Sequence, residues 1–227
     1  MTSATSSIVE RLQKWSSCDV ADGLSKLGHV HGGFLEGLTM YSPQFQNGPT
    51  RIVGPAMTVK FAPKSDQNAP KIQGNYIDQI PKGAVVFISQ PAPHINACYG
   101  GLMSLRAKYL DAAGVIIDGR LRDLQEHQDI EFPVFARCVG TTAGGAVCFP
   151  SELNMPVSLQ SSIHEAVIKP GDFIIADQDG VVCLPAGLAE QVLDAIPAIA
   201  NADAKCAEAI KEGMSVQEAF AKFRGKK

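Results

Sequence analysis

The stretch Gly100–Arg137, GGLMSLRAKYLDAAGVIIDGRLRDLQEHQDIEFPVFAR, decides how the rest of the chain is read. Its first half has helical spacing and runs into a short apolar segment, Val115–Asp118, which reads as a strand buried on both faces. The chain is expected to leave that strand through Gly119. Arg120, Arg122 and Asp123 would then stand just beyond the strand's C-terminal end, the edge where open α/β sheets bind ligands. Phe132–Cys138 reads as the next strand.

Upstream, Ser7-x-x-Glu10 is a capping-box pattern that predicts a helix with Ile8, Leu12 and Trp15 on one face. Ser17 or Asp19 can cap a second helix, with Val20, Leu24 and Leu27 spaced for burial and Gly28 as its stop. Residues 29–50 read as loop and Arg51–Phe61 as strand. A loop over 62–75 should lead to a short helix around 70–79. Pro81-Lys82-Gly83 then makes a turn into the apolar strand Ala84–Ser89. Downstream, Met155–Leu159, Phe173–Asp177 and Val181–Leu184 read as strands, the last two joined by an Asp-Gly turn. Beyond Pro185, Leu188, Val192, Ile196 and Ile199 form a helical stripe, with a kink expected at Pro197. Ser215-x-x-Glu218 opens a final helix through Phe220. No repeat or charged linker interrupts residues 1–227, so one α/β domain is expected.

The chain has 227 residues, 45% hydrophobic and 19% charged, which is ordinary for a globular protein with a substantial core. A net charge of −3 leaves no electrostatic footprint for nucleic acid, and the terminal Arg224-Gly-Lys-Lys is too short to supply one. The N-terminal segment has no apolar signal core, and no run approaches the ~20 residues that span a bilayer. The expected compartment is the cytoplasm. The six scattered cysteines lack a Cys-x-x-Cys spacing and read as buried thiols.

Arg122 and Asp123 are the sharpest candidates for chemistry. A guanidinium fork binds carboxylates bidentately, and an adjacent Asp can hold a divalent cation. On spacing alone a surface ion pair is the favoured reading of these two residues. Gly100-Gly101-Leu102-Met103 opens a helix where free N–H groups attract anions, although a plain glycine-rich helix entry has the same pattern. Asp118 could support the site or end its strand, and the turn-forming role is favoured. Asp177, Asp179 and Gly180 read as a hairpin turn, and His29 and His31 as loop or packing residues. His127, four residues after Asp123, could support the site or face solvent. Lys60 and Lys108 carry no mark of a Schiff-base lysine.

The chain resembles the 4-hydroxy-4-methyl-2-oxoglutarate aldolases, a family that also contains the regulator of ribonuclease activity A. The resemblance rests on Gly100-Gly101-Leu102-Met103 followed about twenty residues later by Arg122-Asp123 after VIIDG. It also rests on CDVADGLSKLG (18–28), GPAMTVK (54–60), FPVFAR (132–137) and KPGDFIIADQDGVVCLP (169–185).

The resemblance implies a β/β/α swivelling-domain fold with flanking terminal helices, assembled as a homotrimer or dimer of trimers. It implies a Mg²⁺- or Mn²⁺-dependent carbon–carbon lyase that cleaves 4-hydroxy-2-oxoacids to pyruvate and decarboxylates oxaloacetate. Asp123 would hold the metal, Arg122 would act in catalysis, and the Gly100–Met103 backbone with Arg122 would bind a small 2-keto acid. The alternative is a non-catalytic, protein-binding regulator. The sequence departs from the family at Gly101, where an acid is usual. An acid from a neighbouring subunit, Asp203 or Glu208, would belong to the same surroundings.

Overall fold

The computed structural model describes residues 2–93 and 95–225. In chain order the elements are α1 (Ser3–Leu12), α2 (Ser17–Lys26), β1 (Thr39–Ser42), β2 (Ile52–Pro63), β3 (Val85–Ser89), α3 (Gly101–Tyr109), β4 (Gly114–Leu121) and α4 (Leu124–Asp129). They continue with β5 (Val134–Val139), β6 (Cys148–Leu153), β7 (Val157–Ser158), β8 (Val167–Ile168), β9 (Phe173–Asp177), β10 (Gly180–Leu184), α5 (Ala189–Lys211) and α6 (Val216–Phe223).

Strands β2, β3, β4 and β5 run parallel, in the spatial order β5-β4-β3-β2, with β1 antiparallel on the outer edge. Strand β2 is long enough to serve two partners on one side. Its first residues pair with β9 (Ile52↔Ala176) and its later ones with β6 (Val59↔Leu153). Hairpin β9–β10 extends the sheet past β2, so the sheet folds over on itself.

Period-two alternation distributes the strand residues among three cores. Val86, Ile88, Val115, Ile117, Val134 and Ala136 face the layer that carries α3 and α4. Val85, Phe87, Ile116, Phe135, Ile174, Ala176, Val181 and Cys183 fill the space between the two halves of the sheet. Phe173, Ile175, Val182 and Leu184 meet Leu12, Val20, Leu24, Val192 and Ile196 of the terminal helices. Both faces of these strands are buried, which explains why they read as continuous apolar runs. The layering is β/β/α with flanking N- and C-terminal helices, as the resemblance implied.

Several boundaries differ from the sequence reading. The cap of α1 is Thr2, whose side chain accepts the Thr5 N–H, so Ser7 lies inside the helix and its box does not form. Ser16, with Asp19 three residues on, closes the capping box of α2, leaving the Ser17 amide and hydroxyl to Asp177. The helix expected around 70–79 shortens to a 3₁₀ turn, Tyr76–Gln79. Residues 29–50 contain β1, and β6 was not expected at all.

The difference with most consequence is at Gly119. The strand does not end there but runs to Leu121 with an irregularity between Ile117 and Arg120. A Cβ at 119 would strike the Gln90 side chain, whose Oε1 accepts the Arg120 N–H. Gly119 is therefore a gap for Gln90 and not an exit. Asp118 consequently terminates nothing. It is fully buried, with Oδ1 receiving Arg137 Nε and Oδ2 receiving the Gln160 N–H at 2.7 Å. The final capping box, Ser215 with Glu218, forms as read.

Cys148, Cys183 and Cys206 are buried thiols, whereas Cys18 lies on the exposed side of α2. Lys226 and Lys227 of the C-terminal basic cluster lie outside the described residues. Among the described residues, no helix is long and apolar enough to cross a membrane.

Candidate functional site

The site lies where β4 ends and α3 begins. A parallel bridge, Tyr99↔Leu121, lays the segment before α3 alongside the end of β4, and the Arg122 N–H donates to the Tyr99 carbonyl at 3.0 Å. Gly100 is thereby brought against Arg122 and Asp123 across an interval of more than twenty residues. A Cβ at Gly100 would lie 2.5 Å from Asp123 Oδ2 and 3.3 Å from Arg122 Nε, so a side chain there would displace the pair from its present position.

Asp123 caps α4 with a left-handed backbone, φ 62° and ψ 42°. Among L-residues Asp and Asn tolerate this region best, and strained backbone of this sort concentrates at functional sites. The conformation swings the carboxylate back toward α3, where Oδ2 accepts the Gly101 N–H at 3.1 Å and stands 3.3 Å from Arg122 Nε. Among the described residues, Oδ1 accepts no hydrogen bond. The Arg122 side chain is 40% exposed and that of Asp123 28%, so both are half-buried and reachable. Because α4 begins at Leu124 with Asp123 as its N-cap, Arg122 lies just ahead of the helix N-terminus.

At the start of α3, Gly100 is the N-cap and supplies no side-chain cap. The Gly101 amide is taken by Asp123 and the Met103 amide by the Gly100 carbonyl, at 3.0 Å. That leaves the Leu102 N–H as the unspent donor of the turn among the described residues. Met103 turns its side chain toward a cavity of about 350 Å³ also bordered by Phe61, Lys64, Tyr76, Cys98 and Cys148.

His127 holds the Arg122–Asp123 turn from behind. Its Nε2 donates to the Arg122 carbonyl at 2.7 Å, and its Nδ1 is 2.8 Å from Ser104 Oγ on α3. The ring is fully buried and stacked on Tyr99. Burial lowers its pKa below 6.5 against the opposing pull of the Arg122 carbonyl, Asp123 and Glu126. His127 is thus a neutral internal strut between α3 and the turn.

The remaining candidates lie elsewhere. Asp177 accepts the Ser17 N–H and hydroxyl and the Asp179 N–H, a structural anchor for α2 and the hairpin turn. His29 and His31 occupy a loop, as read, and His31 lies against His164 at 5.3 Å between ring centroids. Lys60 pairs with Glu152 and Lys108 donates to the Ile130 carbonyl. Asp203 pairs with Arg224 of its own chain.

Glu126 was missed by sequence reasoning. It lies three residues beyond Asp123, a spacing that places both carboxylates on one side of a helix start. A Cβ at Gly101 would collide with Glu126 Oε2 and approach its Cβ and Cδ to 2.7 Å.

The fold and this turn define an α/β protein whose Arg-Asp pair rests on a glycine-led helix start at the carboxyl ends of parallel strands. The RraA-like family model, described as Aldolase/RraA, matches residues 17–183. The chain belongs to that family. A Halalkalibacterium halodurans protein provisionally named a 4-hydroxy-4-methyl-2-oxoglutarate aldolase is 33% identical, over 70% of this chain and 72% of its own length. The Legionella pneumophila protein DlpA is 26% identical over 93% of this chain, which spans only about a third (33%) of that relative. An uncharacterized protein from Pseudomonas syringae pv. tomato superposes with a TM-score of 0.80 at 27% identity, covering 94% of this chain and 96% of its own.

Proposed function

We propose that this chain is a divalent-metal-dependent lyase that cleaves 4-hydroxy-2-oxoacids to pyruvate and decarboxylates oxaloacetate. One observation carries the reading. Arg122 and the strained, partly exposed Asp123 are held side by side against Gly100, beside the unspent Leu102 amide. A surface ion pair requires neither the left-handed backbone nor the glycine beneath it.

The residues fit a hard cation. Among the described residues, no three His, Cys, Asp or Glu side chains cluster as a ligand set. That argues against a zinc-type cage and suits Mg²⁺ or Mn²⁺, which bind through one or two carboxylates and keep much of their water. Asp123 would hold the ion through the carboxylate oxygen it has to spare. Bound there, the ion supplies Lewis acidity toward the keto and carboxylate oxygens of a 2-oxoacid.

The chain's own residues account for the rest. The Arg122 guanidinium offers a planar pair of donors to the enolate oxygen that develops as the C3–C4 bond breaks. The Leu102 N–H, at the positive end of α3, takes the substrate carboxylate. In the aldol case the 4-hydroxyl proton leaves to water as C4 becomes a carbonyl, and protonation at C3 completes pyruvate. Loss of CO₂ from oxaloacetate leaves the same enolate and needs no base. A homotrimeric or hexameric assembly, with a neighbouring subunit bordering the site, belongs to the same proposal.

The test incubates purified protein with oxaloacetate or 4-hydroxy-4-methyl-2-oxoglutarate, with and without Mg²⁺, and follows pyruvate. Release from either substrate only with metal is expected. Release from neither, by folded protein with Mg²⁺ present, would sink the reading in favour of a protein-binding regulator.

A further inference from the structure

We propose that His31 and His164 form a binding site for a borderline transition ion, Zn²⁺ by preference, separate from the Arg122–Asp123 turn. The inference is independent of the lyase reading.

Two distant loops bring the imidazoles together. The loop before β1 is pinned to β10, where the Leu35 N–H donates to the Val181 carbonyl and the Cys183 N–H to the Gly33 carbonyl, each at 2.8 Å. Gly33 permits this approach, since its φ is +73° and a Cβ there would lie 2.4 Å from the Cys183 carbonyl oxygen. On the other side, Ser161 turns the connection between β7 and β8, its Oγ accepting the Ile163 and His164 N–H groups. The His31 and His164 rings meet at 5.3 Å between centroids, tilted by 52°. Both border a cavity of about 260 Å³.

Three features suit a metal better than plain packing. Two imidazoles on one tetrahedral ion, each nitrogen ~2.0–2.1 Å from it, hold their ring centres about 5 Å apart, close to the spacing here. His164 Nε2 donates to the Phe34 carbonyl at 3.1 Å. A carbonyl partner of this kind fixes the tautomer of metal-binding histidines and leaves Nδ1 with its lone pair free. Among the described residues, the His31 ring makes no hydrogen bond, and none joins the two rings, so each keeps a lone pair to give.

An imidazole donor set selects Zn²⁺ or Cu²⁺ over Mg²⁺ and Mn²⁺. Among the described residues, no third His, Cys, Asp or Glu side chain joins the pair, so water completes the coordination on the cavity side. Cys183 also borders the cavity, but its thiol is directed at Asp172 and burial pushes its pKa far up, which keeps it protonated. An ion seated on the two histidines would staple the loop before β1 to the β7–β8 connection. Those segments carry Leu35 and Leu159 into the core between the sheet halves, so the ion should stabilise the fold.

The test is calorimetric titration of the full chain with Zn²⁺ in excess Mg²⁺, with melting curves on every variant. The parent should bind one Zn²⁺ per chain, and saturating Zn²⁺ should raise its melting temperature by a few degrees. His31→Phe keeps a ring in place and His164→Asn keeps a polar side chain. Each should lose both the binding and the shift while melting near the parent in the absence of Zn²⁺. Asp123→Asn should keep both. A folded parent that takes up no Zn²⁺ overturns the proposal, as does full binding by either histidine variant. Loss of binding in Asp123→Asn would seat the ion at the other site and overturn it equally.

Discussion

Two Arg–Asp pairs, one within β4 and β5 and one just past the end of β4, are opposites. Asp118 of β4 is fully buried. Arg137 fills one of its oxygens and the Gln160 amide the other, and Glu36 stands 3.7 Å from the same guanidinium. Asp123 lies a few residues further on, partly exposed, with a left-handed backbone and an oxygen to spare. A carboxylate whose acceptors are all filled by its own chain is part of the scaffold. One held in strain with capacity left over is available to a ligand. Sequence spacing does not separate the two cases, but the hydrogen-bond inventory does.

The sharpest way to break this comparison is to remove the cation. Treatment with EDTA should abolish pyruvate release, and added Mg²⁺ or Mn²⁺ should restore it, while the melting curve barely moves. Full turnover after chelation would place Asp123 with Asp118 as a structural residue.

The same substitution at both positions comes next. Asp118→Asn removes the buried charge opposite Arg137 and turns an amide NH₂ toward one of two donors, Arg137 Nε or the Gln160 N–H, and should cost about 3 kcal/mol, seen as a large drop in melting temperature. Asp123→Asn retains a residue that tolerates the left-handed backbone, so stability should change by less than about 1 kcal/mol while activity is lost. Equal destabilisation by the two variants would erase the distinction drawn here.

Arg122→Lys keeps the charge and loses the planar fork. A fall in kcat/KM of roughly 10²- to 10³-fold is expected, with folding intact. Near-parental kinetics would show that generic positive charge suffices.

The smallest effect is that of His127. Its folded-state pKa lies below the ordinary 6.5 because burial disfavours the imidazolium. The unfolded chain therefore takes up a proton that the folded one refuses. The stability is complete above pH 6.5 and is lost as pH falls from there toward the folded value. Urea unfolding at several pH values should show a steeper acid loss in the parent than in His127→Gln. Parallel profiles would count against a neutral buried strut.

Much of this was legible in the chain. The strands at 84–89, 115–118, 173–177 and 181–184 were readable because burial on both faces leaves uninterrupted apolar runs. Arg122-Asp123 and Gly100–Met103 were readable as candidates, and the Tyr99↔Leu121 bridge brings them together. What failed depended on distant partners. Gly119 reads as an exit until Gln90 of the neighbouring strand is found in its gap. Strand β6 was hidden because it contains Pro150, which is tolerated where the register with β2 shifts beside Lys60 and Phe61. The short helix forecast before Pro81 reduced to one 3₁₀ turn because tertiary packing of Tyr76 and Ile77 overrode local spacing. Glu126 was visible as Asp123-x-x-Glu126, but nothing local shows that its side chain crosses to Gly101.

The double duty of β2 bears on how this chain is made. The parallel set β2 to β5 is complete once residues 52–139 exist, whereas the β9–β10 hairpin that closes over it arrives later in synthesis. During that interval, a matter of seconds at about 5–20 residues per second, Val85, Phe87, Ile116 and Phe135 lack the Ile174, Ala176, Val181 and Cys183 that cover them in the fold. A nascent chain whose parallel strands pair within that interval presents an open apolar palm. Its safe emergence depends on how quickly Phe173–Leu184 follows, or on a chaperone that covers the palm until then.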